Sequence, residues 1–257
     1  MQTISIDLKK DQKLYFASDF HLGAPSQESS RLREKKIIRW LNAIEKDVAA
    51  LFLVGDLFDF WFEYTHVVPK GYVRFLSKLA DLSEKGIPIY MFHGNHDMWM
   101  FDYLQQEIGV TIFSDPITLK VNQTTMMVGH GDGLGPGDNT YKVIRKIFRN
   151  NLAQWLFHWI HPDIGYGLAI KWSSRSRLSK KHQTEEELKG DNEWLLQYSK
   201  EIEKNEHHDF YVFGHRHLPM ELPVNEKSTY INLGEWINYD TFGEFNGTSF
   251  ELNYFEK

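Results

Sequence analysis

The sequence predicts an α/β protein, a four-layer αββα sandwich of two mixed sheets with a helical cap insertion. Three observations lead there. Apolar runs of strand length alternate with helix-spaced segments as far as Phe92. After Val110 the pattern turns to short strands and a hairpin signal. Between those later strands lies a basic, aromatic segment of helical character. A chain of 257 residues can bury a sizeable core without covalent staples. No repeat or linker-like tract divides it, so one structural domain is expected. Residues 1–138 and 205–257 would form the core, and 139–204 the cap over the active site.

Each element has its own signal. Lys13–Ser18 reads as a strand. Arg31–Val48 carries Ile37, Ile38, Leu41 and Ile44 at helical spacing. Ala50–Val54 is a short, buried strand. Gly71–Lys85 reads as a helix through Val73, Leu76, Leu79 and Leu82, stopped by Gly86. Ile87–Phe92 is the next strand. This order implies βαβ units and a largely parallel sheet, in which ligands gather at the carboxyl ends of strands. Ile117–Val121 and Thr124–Gly129 flank Asn122-Gln123 as a hairpin. Phe210–Phe213, Thr229–Leu233 and Thr248–Phe255 read as later strands, and Glu185–Glu203 as a helix returning to the sheet.

Composition narrows the function. Twenty-nine Lys and Arg against 35 Asp and Glu give a net charge of −6, which argues against nucleic acid as a partner. The absence of cysteine excludes a disulfide scaffold, a thiol nucleophile and a Cys-ligated cluster. The first residues lack the basic-then-apolar pattern of a secretory signal. Leu152–Ile160, broken by Gln154 and His158, falls short of the roughly 20 apolar residues of a spanning helix. A cytoplasmic protein is therefore expected. Its charge is uneven: Asn139–His182 holds nine Lys or Arg and one acid, Asp163, so it carries +8 while the rest carries −14. The same segment contains Trp155, Phe157, Trp159, Tyr166 and Trp172. Leu152, Trp155, Leu156 and Trp159 share one helix face, which either packs on the protein's own core or meets acyl chains.

Five motifs carry the chemistry: Asp19-Phe20-His21, Gly55-Asp56-Leu57-Phe58-Asp59, Gly94-Asn95-His96-Asp97, Gly129-His130-Gly131-Asp132 and Gly214-His215-Arg216-His217. Each follows an expected strand. Their carboxylates, imidazoles and amide oxygen suit Mn²⁺, Fe²⁺ or Zn²⁺, and one carboxylate can bridge two ions. In strand-like geometry His215 and His217 would point the same way. Asp59 reads as a helix cap or turn carboxylate no less than as a functional group. Asp132 reads equally as a turn former or a partner to a ligand.

This ordered set resembles the calcineurin-like metallophosphoesterase superfamily, with its D-x-H, GD, GNH[DE], GH and GHxH blocks. The resemblance implies two divalent ions, Mn²⁺ foremost, with Fe²⁺ or Zn²⁺ as alternatives. It implies that Asp19, His21, Asp56 and His217 hold the first ion. Asp56, Asn95, His130 and His215 would hold the second. His96 would stabilise the phosphate or protonate the leaving group, Asp97 would orient His96, and a metal-bridging hydroxide would attack phosphorus.

Gly55–Trp61 (GDLFDFW) and Gly94–Asp97 (GNHD) depart from the GDxVDRG and GNHE of serine/threonine phosphatases. With Ser18–Gly23 (SDFHLG), His130–Asp138 (HGDGLGPGD) and Gly214–Pro219 (GHRHLP), they resemble the UDP-2,3-diacylglucosamine diphosphatases of lipid A biosynthesis. Those enzymes cleave UDP-2,3-diacylglucosamine to UMP and 2,3-diacylglucosamine 1-phosphate (lipid X). The best-known members carry arginine where this chain has His96. The resemblance implies that Asn95, His96, Asp138, Ser174, Arg177, Lys181 and His215 contact a lipid-linked sugar nucleotide. It also implies a peripheral protein on the cytoplasmic face of the inner membrane. The alternative is another metallophosphoesterase, a phosphodiesterase or nuclease, using the same dinuclear site on a different substrate.

Overall fold

The computed structural model describes residues 1–136, 139–180 and 193–256, with the backbone alone at 139, 140 and 174–180. In chain order its elements are β1 (Gln2–Ile6), β2 (Lys13–Ala17), α1 (Gln27–Ile44), β3 (Val48–Leu53), α2 (Val73–Glu84), β4 (Ile89–Phe92), α3 (Tyr103–Ile108), β5 (Thr111–Phe113), β6 (Ile117–Val121), β7 (Thr124–Gly129), α4 (Asn139–Phe148), α5 (Asn151–His158), α6 (Pro162–Lys180), α7 (Trp194–Glu203), β8 (Phe210–Phe213), β9 (Pro219–Pro223), β10 (Thr229–Leu233), β11 (Thr241–Phe245) and β12 (Phe250–Tyr254). They build two six-stranded mixed sheets, ordered β12-β11-β2-β3-β4-β5 and β1-β6-β7-β8-β10-β9. In the first, β2 to β5 run parallel. In the second, β6 and β7 form the expected hairpin, and β7, β8 and β10 run parallel.

The layering follows from two-residue alternation. Leu14, Phe16, Ala50, Phe52 and Val54 face inward against Leu119, Met126, Val128, Val212 and Ile231, which forms the core between the sheets. The residues between them, Tyr15, Ala17, Leu51 and Leu53, face outward onto Ile37, Trp40 and Leu41 of α1 and Phe75, Leu79 and Leu82 of α2. On the other outer face, Met127, Tyr211, Phe213 and Tyr230 receive Leu195 and Leu196 of α7. The sandwich thus has helices, sheet, sheet and helix in sequence. α7 supplies this fourth layer.

One helix start and one strand differ from the sequence pattern, each for an identifiable reason. Helix α1 begins at Gln27 rather than Arg31 because Ser26 and Ser29 cap each other reciprocally, with serine in the position usually held by Glu or Gln. β9 begins and ends in proline and is an edge strand, which hides its strand character.

α4 to α6 pack on an aromatic platform. Phe60 and Phe62 follow the second motif, and Met98 and Trp99 follow the third. Against them lie Tyr141, Phe148, Phe157, Tyr166, Ala169 and Ile170. Phe157 sits 4.7 Å from both Phe62 and Trp99, and Trp99 donates its indole N–H to Phe148 O at 2.8 Å. Arg145 of α4 and Arg149, just past its end, reach Asp115 at 3.4 and 2.9 Å. Asp132 accepts from the Tyr141 hydroxyl at 2.7 Å and pairs with Arg145 at 3.2 Å, so it fastens α4. The face bearing Leu152, Trp155, Leu156 and Trp159 turns outward; Trp155 is 56% and Trp159 73% exposed. Among the described residues no helix is long and apolar enough to cross a membrane.

Candidate metal centre

Each of the five motifs begins where a strand of one sheet or the other ends. β2, β3 and β4 deliver Asp19, Asp56 and Asn95; β7 and β8 deliver His130 and His215. The loops are stitched together by main-chain bonds from Asp19 N to Gly55 O (3.0 Å), His21 N to Asp56 O (2.9 Å) and Gly214 N to His130 O (3.1 Å). The backbone there is unusual. Asp19, His21, Asp56, His215 and His217 all adopt positive φ, between 43° and 68°. Side chains visit that left-handed region sparingly, and strain of this kind concentrates at functional sites. His215 and His217 therefore do not alternate as strand residues would. They serve different groups of side chains.

Three clusters result, each with its ligand atoms within 4.8 Å of one another: Asp19, His21, Asp56 and His217; Asp56, His130 and His215; and His21, Asp59 and His96. Asp56 belongs to the first two. His217 Nε2 lies 3.0 Å from Asp19 Oδ1, and His130 Nε2 lies 3.3 Å from Asp56 Oδ2. Asp19 Oδ1, Asp56 Oδ2, Asn95 Oδ1 and His130 Nε2 are buried with no hydrogen-bond partner among the described residues. Burying such atoms unpaired costs about 1–3 kcal/mol each. Cations would satisfy all four, and the oxygen and nitrogen donors suit divalent ions of borderline hardness.

The electrostatics agree. Burial opposes ionisation of Asp19, yet His217 and His21 beside it hold its carboxyl well below the usual range. Asp56 is lowered in the same way, chiefly by His130. Burial disfavours charge on His130, but the Asp56 carboxylate outweighs it and raises the imidazole to about 10. Without cations, a proton on His130 balances the buried Asp56 carboxylate.

The surrounding groups fix these ligands. His130 Nδ1 lies 2.8 Å from Val54 O, which only accepts, so this nitrogen carries the hydrogen and Nε2 turns toward Asp56. Ser18 donates to Asp19 Oδ2 at 2.6 Å, and His215 N donates to the same oxygen at 2.9 Å. Arg33, buried on α1, donates to the carbonyls of Phe20, His21 and Ala24 at 2.6, 2.7 and 2.5 Å. It thereby clamps the first loop. Arg216 stands between Glu193, 3.0 Å away, and the Trp194 ring, so it braces the last motif. Gly94 and Gly214 permit close approach. A Cβ at Gly94 would meet Asp56 Oδ1 at 2.1 Å, and one at Gly214 would meet Ser18 Oγ at 2.0 Å.

Two expected roles change. Asp97 does not present itself as the orienter of His96. Its carboxylate accepts from Leu57 N (2.7 Å), Gly94 N (2.8 Å), Asp56 N and Phe58 N (both 3.3 Å), and so ties the second motif to the third. Burial and the neighbouring Asp56 push Asp97 up to about 7. Asp59 is buried and stands with Oδ1 3.6 Å from His21 Nδ1 and 4.0 Å from His96 Nδ1. It is the carboxylate that lies between those rings. His93 packs, its ring bonded to Met100 O at 2.8 Å. Of the residues expected to touch substrate, Asp138 and Lys181 lie outside the described residues, as do the side chains of Ser174 and Arg177.

Comparison with known proteins points the same way. The model of the calcineurin-like phosphoesterase family matches residues 12–219. A UDP-2,3-diacylglucosamine hydrolase of Porphyromonas gingivalis is 36% identical over 256 residues, covering 95% of this chain and 98% of that protein. A protein of the same name from Shewanella piezotolerans is 27% identical over 224 residues, covering 86% and 89%. Among solved structures, the E. coli phosphoesterase Yfce aligns over 95% of this chain and 100% of its own, with a TM-score of 0.44 and 14% identity. With the match running from the first strand of the site past its last ligand, this chain belongs to the calcineurin-like phosphoesterase family.

Proposed function

We propose that the protein is a metal-dependent pyrophosphate hydrolase that converts UDP-2,3-diacylglucosamine and water to UMP and 2,3-diacylglucosamine 1-phosphate. The observation that carries this reading is the near full-length likeness to the P. gingivalis hydrolase. The two clusters joined at Asp56 support it chemically. Asp19, His21, Asp56 and His217 would hold one cation, and Asp56, Asn95, His130 and His215 the other, with Mn²⁺ the proposed ion. When bound, such cations acidify water and offset charge on the reacting phosphoryl group. The chain's own groups do the rest. Val54 O and Ser18 aim His130 and Asp19. His96, its ring 4.9 Å from that of His21, would stabilise the phosphoryl oxygens or protonate the departing phosphate. The water oxygen joins the α-phosphorus, and the bond to the β-phosphate oxygen breaks. Asp138, Ser174, Arg177 and Lys181 are proposed contacts for the sugar and phosphates.

The exposed Leu152, Trp155, Leu156, Trp159, Ile164 and Leu168, in a segment carrying +8, support contact with the anionic cytoplasmic face of the inner membrane. Each basic residue near such a surface contributes about 1 kcal/mol. The test is UMP release from UDP-2,3-diacylglucosamine with Mn²⁺, abolished in Asp56→Asn. Turnover of cyclic nucleotides or DNA ends, with indifference to acyl chains, would replace this reading with a phosphodiesterase or nuclease.

A further inference from the structure

Ser173 enters neither the metal clusters nor the expected substrate contacts. It lies on α6, is 5% exposed, and places its Oγ 3.0 Å from Nδ1 of His96. The same Nδ1 lies 3.2 Å from Asp59 O. A main-chain carbonyl can only accept, so Nδ1 carries the hydrogen and the Ser173 oxygen is its second acceptor. Nε2 is then the ring nitrogen that exchanges protons. α6 reaches this point because Tyr166, Ala169 and Ile170 pack on Phe60 and Trp99, the residues that directly follow Asp59 and come two after Asp97. A helix outside both sheets thus contacts the one motif histidine that joins neither Asp56 cluster.

We propose that Ser173 is a positioning residue through which α6 sets the ring plane of His96, so that seating of the α4–α6 segment and alignment of that imidazole are one event. The proposal rests on the reading of His96 given above. It separates the two adjacent serines. Ser174 was expected to touch substrate, whereas Ser173 acts through His96.

The test compares Ser173→Ala and Ser173→Thr with the parent protein. The first readout needs neither metal nor substrate: ¹⁵N–¹H spectra of the histidine rings, with His96 assigned by its loss in His96→Gln. All three proteins should show the Nδ1–H tautomer that Asp59 O fixes; Ser173→Ala should shift the His96 Nδ1–H resonance, and Ser173→Thr should keep the parent position. The second readout is kinetic. With Mn²⁺ and UDP-2,3-diacylglucosamine, Ser173→Ala should lower kcat by about tenfold, a part of the 10²–10⁴ that proton transfer contributes. KM should hold, and threonine should restore kcat. An unchanged His96 Nδ1–H resonance in Ser173→Ala, or a raised KM with kcat intact, overturns the proposal and makes Ser173 a substrate contact. If the parent does not turn over this substrate, the functional reading fails, while the spectra still decide the role of Ser173.

Discussion

Replacing Gly94 with alanine tests whether the two ligand clusters depend on one close approach. The added Cβ would sit 2.1 Å from Asp56 Oδ1 and 2.4 Å from Asp56 N, where real Cβ atoms keep at least 3.0 Å. Either Asp56 moves by about 0.9 Å or the third loop retreats. Retreat is resisted because Gly94 N is bonded to Asp97, which also holds the amides of Asp56 to Phe58. Overpacking of this kind costs about 1–3 kcal/mol. At about 2–4 °C per kcal/mol for a chain of this size, the melting temperature should drop by roughly 2–12 °C. The loss of function should be larger, because about 1 Å of misplacement lowers a rate by about 10²-fold. Calorimetry should find Mn²⁺ affinity reduced at both sites, since Asp56 is common to them. Gly167→Ala supplies the contrast. Nothing lies within 4 Å of a Cβ there, so the helix should gain about 0.5–1 kcal/mol with activity unchanged. A Gly94→Ala protein that binds two Mn²⁺ with parental affinity and turns over at the parental rate would refute the reasoning.

Three further outcomes are expected. Mn²⁺ at a hundredfold excess over Kd should stabilise the fold by about 2.7 kcal/mol for each ion bound; binding should release protons, because Asp56 holds His130 protonated to about 10, and the apparent affinity should therefore fall with falling pH, as calorimetry in buffers of different ionisation enthalpy would register. At Glu203, burial is outweighed by bonds from Tyr211 and His207, so its carboxyl drops from 4.5 to about 2. This depressed acid stabilises the fold above pH 4.5 and ceases to do so as pH falls through 2; Glu203→Gln should cost at most about 3 kcal/mol at pH 7, and urea titrations should show that gap closing toward pH 2. Arg33→Met should take the side-chain donor from the carbonyls of Phe20 and Ala24 and leave His21 O only the Ala24 amide, which should destabilise the fold by about 3–5 kcal/mol by chemical denaturation, with weakened Mn²⁺ binding; a loss below about 1 kcal/mol would contradict the clamp.

The sequence disclosed what repetition and spacing encode. Continuous apolar runs at Leu14–Ala17 and Ala50–Val54 announced buried strands of the first sheet, and five polar motifs at strand ends announced the site. What stayed hidden depends on contacts across the chain. Arg33 and Glu34 look like ordinary helix charges, but both fall in register with Ile37, Trp40 and Leu41, the buried face of α1. A charge in a core register was the available signal. Asp97 follows His96 in sequence, yet its carboxylate is drawn toward the backbone amides of the second motif. Asp59, fitted equally by a turn role, became a neighbour of two imidazoles only once β2, β3 and β4 lay side by side. No periodicity could reveal Ser173, since its partner lies 77 residues away.

The aromatic platform has a consequence for protein engineering. Grafting a relative's α4–α6 segment would transplant only half of a joint, because the matching sockets, Phe60, Phe62, Met98 and Trp99, are written immediately downstream of the second and third motifs. A chimera that respects the contiguous boundary would seat foreign rings on unmatched ones, while one that also carries those four positions would exchange a complete, discontinuous module.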